Sequence, residues 1–247
     1  HCTNQLPTTV GLLMFFVELE RMLSLIEEYP SHHHRFLNGK MLFTNQTFRD
    51  LFKSQKPVDN LRLQIKSLTI LFTDLKGSTA MYDTAGDLHA YELVKEHFSV
   101  LFDVVRRHQG AIIKTMGDAI MASFSTPPDG VRAALEMQRE IQEHNRRWRA
   151  DGYDVGLKIG IHEGPAMVVN ANEQLDYFGQ TVNIAARVQG LAQADEVWMS
   201  DAVYQHEEVR QVTSAAQLSP EKKLVSLKGV GQLTAVHRFD TRFDGEE

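Results

Sequence analysis

Two stretches carry the reading of this chain: Leu68-Thr69-Ile70-Leu71-Phe72-Thr73-Asp74-Leu75-Lys76-Gly77-Ser78-Thr79 and Ile113-Lys114-Thr115-Met116-Gly117-Asp118-Ala119-Ile120-Met121. In each, an apolar strand-forming run ends on an aspartate. A carboxylate at a strand end is held rigidly and turned out of the core, the placement that paired divalent metals require. The apolar runs 111–115 and 119–124 are separated only by Met116-Gly117-Asp118, which reads as a tight β-hairpin with the acid at its tip. Such a tip can lie beside the end of a neighbouring strand.

Leu61, Leu63 and Ile65 alternate ahead of the 68–72 run, extending the first strand towards its N-terminal side. After it comes a long helical segment with Leu88, Tyr91, Phe98, Leu101, Phe102 and Val105 on one side and Gly110 as its stop. The hairpin follows, then a second helix starting around Pro127-Pro128-Asp129 and carrying Val131, Leu135 and Ile141 towards Trp148. Val155, Leu157, Ile159 and Ile161 alternate as a further strand. The order βαββαβ predicts an α+β fold with a ferredoxin-like core, an antiparallel sheet with helices on one face. Additional C-terminal elements follow: a helix after Gly179 and short strands near Val197, near residues 224–227 and near residues 234–239.

Residues 1–60 differ in character and read as a short helical or linker segment preceding a larger domain at 61–240, with 241–247 as a tail. Phe15, Leu19, Met22, Leu23 and Ile26 recur at helical spacing, which predicts an amphipathic helix within residues 9–29 that stops before Pro30. Its apolar face docks on its own domain or serves a dimerising or signal-transmitting role. His32-His33-His34 has no second ligand cluster to make it a metal site.

The chain has 247 residues, 43% of them hydrophobic, enough to bury one large domain or a domain with an appendage. Its net charge of −6, without a long basic run, gives a nucleic-acid partner no electrostatic support. The single cysteine, Cys2, cannot form an intrachain disulfide, which fits a reducing compartment, and cytoplasm is the expected location. The longest apolar stretch, 10–17, falls far short of the roughly 20 residues of a membrane helix. Because the chain starts at His1 rather than Met, it reads as a fragment that an upstream sensor domain or membrane segment could precede.

Together with Asp176-Tyr177-Phe178-Gly179-Gln180-Thr181-Val182-Asn183-Ile184-Ala185-Ala186-Arg187, the two opening stretches resemble the catalytic domain of the class III nucleotidyl cyclases, adenylate cyclase type, over residues 68 to about 239. The resemblance implies conversion of ATP to 3′,5′-cyclic AMP and pyrophosphate. It assigns Asp74, Asp118 and the Leu75 backbone carbonyl to two metal ions, for which magnesium or manganese suits oxygen ligands. Lys114 matches the lysine that hydrogen-bonds adenine and Asp176 the acid that accepts the adenine amino proton. Guanine, with a protonated N1 and a carbonyl, would meet donor against donor there.

Asn183 and Arg187, four apart, share one helix face. The resemblance gives that pair the ribose and the charge on the pentavalent phosphorus, and gives Lys228, in Leu227-Lys228-Gly229-Val230-Gly231, the triphosphate. Gly77, Ser78 and Thr79 precede a helix whose first-turn N–H groups can face the terminal phosphates; a plain N-cap at Ser78 or Thr79 explains the same residues. In this family the metal carboxylates and the adenine and transition-state residues come from different domains. One copy of each set therefore implies a homodimer with two composite sites and an inactive monomer. Guanylate cyclase and a non-catalytic, nucleotide-binding regulatory domain are the alternative functions; no diguanylate cyclase hairpin signature is present.

Overall fold

A computed structural model describes residues 39–51, 63–78, 87–150, 154–171 and 174–242. The helix expected within residues 9–29, the triple histidine, Cys2 and Thr79 lie outside the described residues. The chain divides into two compact units, 1–39 and 40–247, and all the described residues but Gly39 belong to the second. The first described elements are two short helices, α1 (Gly39–Phe43) and α2 (Gln46–Leu51).

Strand β1 (Leu63–Lys76) leads to helix α3 (Asp87–Arg107), the hairpin β2 (Ala111–Met116) and β3 (Ala119–Phe124), helix α4 (Pro127–Ala150) and strand β4 (Gly156–Ala171). Then come β5 (Gln174–Phe178), α5 (Gln180–Gln189), β6 (Glu196–Ser200), α6 (Asp201–Tyr204), α7 (Glu207–Ala215), β7 (Glu221–Ser226) and β8 (Leu233–Asp240). The eight strands form one sheet in the order β2-β3-β1-β4-β6-β8-β7, with β5 paired to β4. The stretch β2-β3-β1-β4 is the expected ferredoxin-like core, so the α+β reading is borne out.

Three features of the sheet and its layers differ from the sequence reading. The sheet is mixed, because β4 and β6 run parallel, with Ile159 opposite Val197. Strand β4 continues to Ala171 and folds back on β5, a strand the sequence reading did not include, so Asp176 stands in a strand, opposite Val169. Helices cover both faces: α3 and α4 pack on Leu71, Leu75, Leu157 and Ile159, while Ala185 of α5 joins Ile70, Phe72 and Met121 on the other side. The close seat of α5 requires glycine in β4, since a Cβ on Gly160 would come within 2.1 Å of the Gln189 nitrogen.

On α3 the buried stripe runs through Ala90, Leu93, Val94, His97, Leu101 and Val104, and Tyr91 lies off it, exposed. The helix stop also differs in mechanism. The left-handed residue is Gln109, at φ 56°, and Gly110 is required for space, because a Cβ there would lie 2.4 Å from the Phe124 ring. In α4, Val131, Leu135, Ile141 and Trp148 are buried as the spacing predicts. Fully buried side chains such as Leu71 and Leu157 hold sheet to helices, and truncating either to alanine would cost about 2–5 kcal/mol. Among the described residues no helix is long and apolar enough to cross a membrane.

Candidate active site

The first carboxylate, Asp74, sits near the end of β1, opposite Lys158 of β4, and the two side chains form an ion pair. Next to it, Thr73 is buried and its Oγ1 accepts a hydrogen bond from the Ile120 N–H at 3.1 Å. That bond ties the end of β1 to the start of β3, two residues beyond Asp118. The register Phe72 opposite Met121 runs in the same direction, so the hairpin tip and the end of β1 are neighbours. Strand β2 extends through Met116, leaving Gly117 and Asp118 as the two-residue tip.

Asp118 is held by its backbone. Its carbonyl lies 3.2 Å from His97 Nε2, on the buried stripe of α3. A carbonyl only accepts, so His97 carries its proton on Nε2 and donates. Burial lowers the His97 pKa to about 4, against the opposing effect of that bond, and the imidazole is neutral at pH 7. Oδ2 of Asp118 is buried and has no hydrogen-bond partner among the described residues. A buried carboxylate oxygen without a donor is costly unless a cation arrives, so the site fits a hard divalent ion. Leu75 is buried in the core and paired with Leu157. Among the described residues no three His, Cys, Asp or Glu side chains stand together. Further ligands to an ion here would be backbone oxygens, water or substrate phosphates.

Gly77 turns the chain after β1 at φ 93°, and a Cβ there would lie 2.7 Å from the Asp154 carbonyl, so only glycine fits. Ser78 begins a helical turn.

Lys114 of β2 and Asp176 of β5 come together despite lying 62 positions apart: Nζ lies 2.7 Å from Oδ2. Asp176 Oδ1 accepts the Tyr177 N–H at 2.7 Å, which fixes the carboxylate. The lysine side chain is 39% exposed and the aspartate 17%, so the pair is reachable from solvent yet largely held by protein.

Asn183 is exposed and Arg187 half-buried on α5. The Arg187 guanidinium faces Gly229, where a Cβ would come within 3.5 Å of Nη2, and Gly229 adopts φ 74°. Lys228 is the exposed residue just before it, in a turn closed by the Val230 N–H to the Leu227 carbonyl at 2.9 Å. Arg187 and the Lys228 turn therefore meet on the β6–β8 side of β4, whereas both carboxylates belong to the β1–β3 side. Lys158 and His97 escaped the sequence reading. The available signals were an outward-facing position in an alternating strand and a histidine at core spacing in a helix.

A family model described as the adenylate and guanylate cyclase catalytic domain matches residues 62–237. Adenylate cyclase 1 of Rhizobium meliloti (strain 1021) is 30% identical over 138 residues, 51% of this chain and 21% of that protein. Guanylate cyclase 32E of Drosophila melanogaster is 24% identical over 237 residues, 87% of this chain and 20% of that protein. The matched region thus spans about a fifth of either relative. Among solved structures, the adenylyl cyclase CyaB from P. aeruginosa superposes with a TM-score of 0.63 at 22% identity, covering 76% of this chain and 98% of that one.

Proposed function

This chain belongs to the adenylate and guanylate cyclase catalytic domain family, and on that premise we propose that it converts ATP to 3′,5′-cyclic AMP and pyrophosphate, at sites completed by a second copy of itself. The observation that carries the choice of base is the 2.7 Å contact between Lys114 and Asp176. In the free protein donor and acceptor satisfy each other. Adenine would take the place of that bond, its N1 accepting from Lys114 and its 6-amino group donating to Asp176. Guanine offers a donor at N1 and an acceptor at O6, so both contacts would be mismatched and left unpaired beside partly buried groups.

The reaction joins the ribose 3′-oxygen to the α-phosphorus as the bond from that phosphorus to the pyrophosphate oxygen breaks, with loss of the hydroxyl proton. Asp74 and Asp118 would hold divalent cations, magnesium or manganese, which supply a lowered hydroxyl pKa and charge neutralisation when bound. Lys158 pairs with Asp74 in the free protein and, with a cation held by Asp74, would be free to contact the phosphates. Asn183 orients the ribose, and the planar guanidinium of Arg187 stabilises charge on the pentavalent phosphorus. Lys228 and the N–H groups following Gly77 contact the triphosphate.

The separation of Arg187 and Lys228 from the two carboxylates across β4 supports a site shared between two chains, each giving one set. Product analysis of the purified protein with ATP and GTP in parallel, with magnesium or manganese, tests the reading. Cyclic AMP from ATP should dominate. Cyclic GMP in equal or greater amount would point to a guanylate cyclase, and no product from either to a nucleotide-binding regulatory domain.

A further inference from the structure

Strand β5 is only five residues long and, among the described residues, pairs with β4 alone. An edge strand of this kind has no neighbour on its open side to fix it. Arg49 of α2 takes that role. It is 7% exposed, donates to the Leu175 carbonyl, lies 3.4 Å from the Phe43 carbonyl and sits 5.7 Å from the centre of the Tyr177 ring. The Tyr177 hydroxyl in turn donates to the Phe43 carbonyl at 2.8 Å. Leu175 and Tyr177 flank Asp176, and strand alternation turns their side chains to the face opposite its carboxylate.

The other half of the base-reading pair is held from the same helix. The register of β2 against β3 skips between Ile112 and Lys114. Such a bulge frees a backbone N–H from the ladder. Gln46 Oε1 accepts the Ile112 N–H at 2.7 Å. Gln46 and Arg49 are three apart, so they leave α2 on one face and reach the two strands that carry Lys114 and Asp176.

We propose that Arg49 and Gln46 are positioning residues for base selection, fixing from α2 the backbone on which Lys114 and Asp176 meet the nucleobase. The inference rests on the assignment of that pair to adenine. Neither residue contacts the nucleotide; each acts by placing a donor or an acceptor whose discrimination depends on sub-ångström geometry. The test compares kcat/KM for ATP and GTP in the full chain and in Asp176→Asn, Arg49→Met, Arg49→Lys and the double variant Arg49→Met/Asp176→Asn, with thermal melts as the folding control.

Asp176→Asn should lower the ATP-to-GTP ratio. Arg49→Met should lower it in the same direction by about tenfold, and Arg49→Lys should recover part of the loss. The double variant should fall no further than Asp176→Asn alone, because the two side chains act on one contact. A ratio unchanged in folded Arg49→Met while Asp176→Asn shifts it would overturn the proposal and leave the adenine assignment standing. A ratio unchanged in Asp176→Asn would overturn the assignment and the proposal with it. Should Arg49→Met fail to fold, Gln46→Leu, which loses one bond to the bulge, decides: a lowered ratio supports the positioning role and an unchanged one overturns it.

Discussion

As the proposed cation ligands, Asp118 and Asp74 would differ in what each must release before a cation binds. Oδ2 of Asp118 has no protein partner among the described residues, whereas Asp74 must give up Lys158. Replacing either aspartate with asparagine should lower cyclic AMP formation by at least about 100-fold, since under about 3 kcal/mol of lost transition-state stabilisation suffices. A steady-state assay on folded variants checks it. Lys158→Met removes the competing ammonium, and a partly exposed pair of this kind is worth up to about 1 kcal/mol. Manganese affinity of the nucleotide-free protein should rise by up to about fivefold, measured by titration; weaker binding would contradict the competition.

His97 and His162 make stability depend on pH. Burial lowers both from an ordinary 6.5 to about 4. The unfolded chain therefore binds more protons between those values, so stability is complete above about pH 6.5 and is lost as pH falls towards 4. His97→Phe should remove its share, up to about 3 kcal/mol, from the difference between urea unfolding at pH 7 and at pH 4.

Elements explain why some parts of the site were legible in the sequence and others were not. The hairpin tip at Asp118 follows from a two-residue break between apolar runs, and the end of β1 from where its run stops; both are local patterns. Lys158 was hidden because alternation marks its neighbours Leu157 and Ile159 as core and leaves the lysine as an outward residue. That outward face is the one that carries Asp74. Strand β5 was missed because its alternation is short, with only Leu175 and Tyr177 as inward apolar positions, and the strand is defined by its pairing with the far end of β4. Arg49 and Gln46 lay in a segment read as a linker, and their partners are more than 60 positions away. The seat of α5 is likewise tertiary, set by Gly160. Gly160→Ala should force α5 off the sheet, costing about 2–3 kcal/mol by overpacking and displacing Asn183 and Arg187. Urea melts would show the first effect and a reduced kcat the second.

Across the whole molecule, one chain carries one copy of each proposed catalytic set, with the carboxylates on the β1–β3 side of the sheet and Arg187 with Lys228 beyond β4. The proposed homodimer would use both sets twice, so a defect in either set would disable both of its sites. In a mixed dimer of Asp74→Ala and Arg187→Ala, one interface site collects both defects and the other collects none. The measurement is cyclic AMP production after the two purified, individually inactive variants are mixed, with subunit exchange followed independently by labelled protomers. Activity should return, to about half of wild type per heterodimer, or about a quarter overall if equal amounts pair at random and turnover per intact site is unchanged. Verified exchange with no recovery would contradict two independent sites built across the interface.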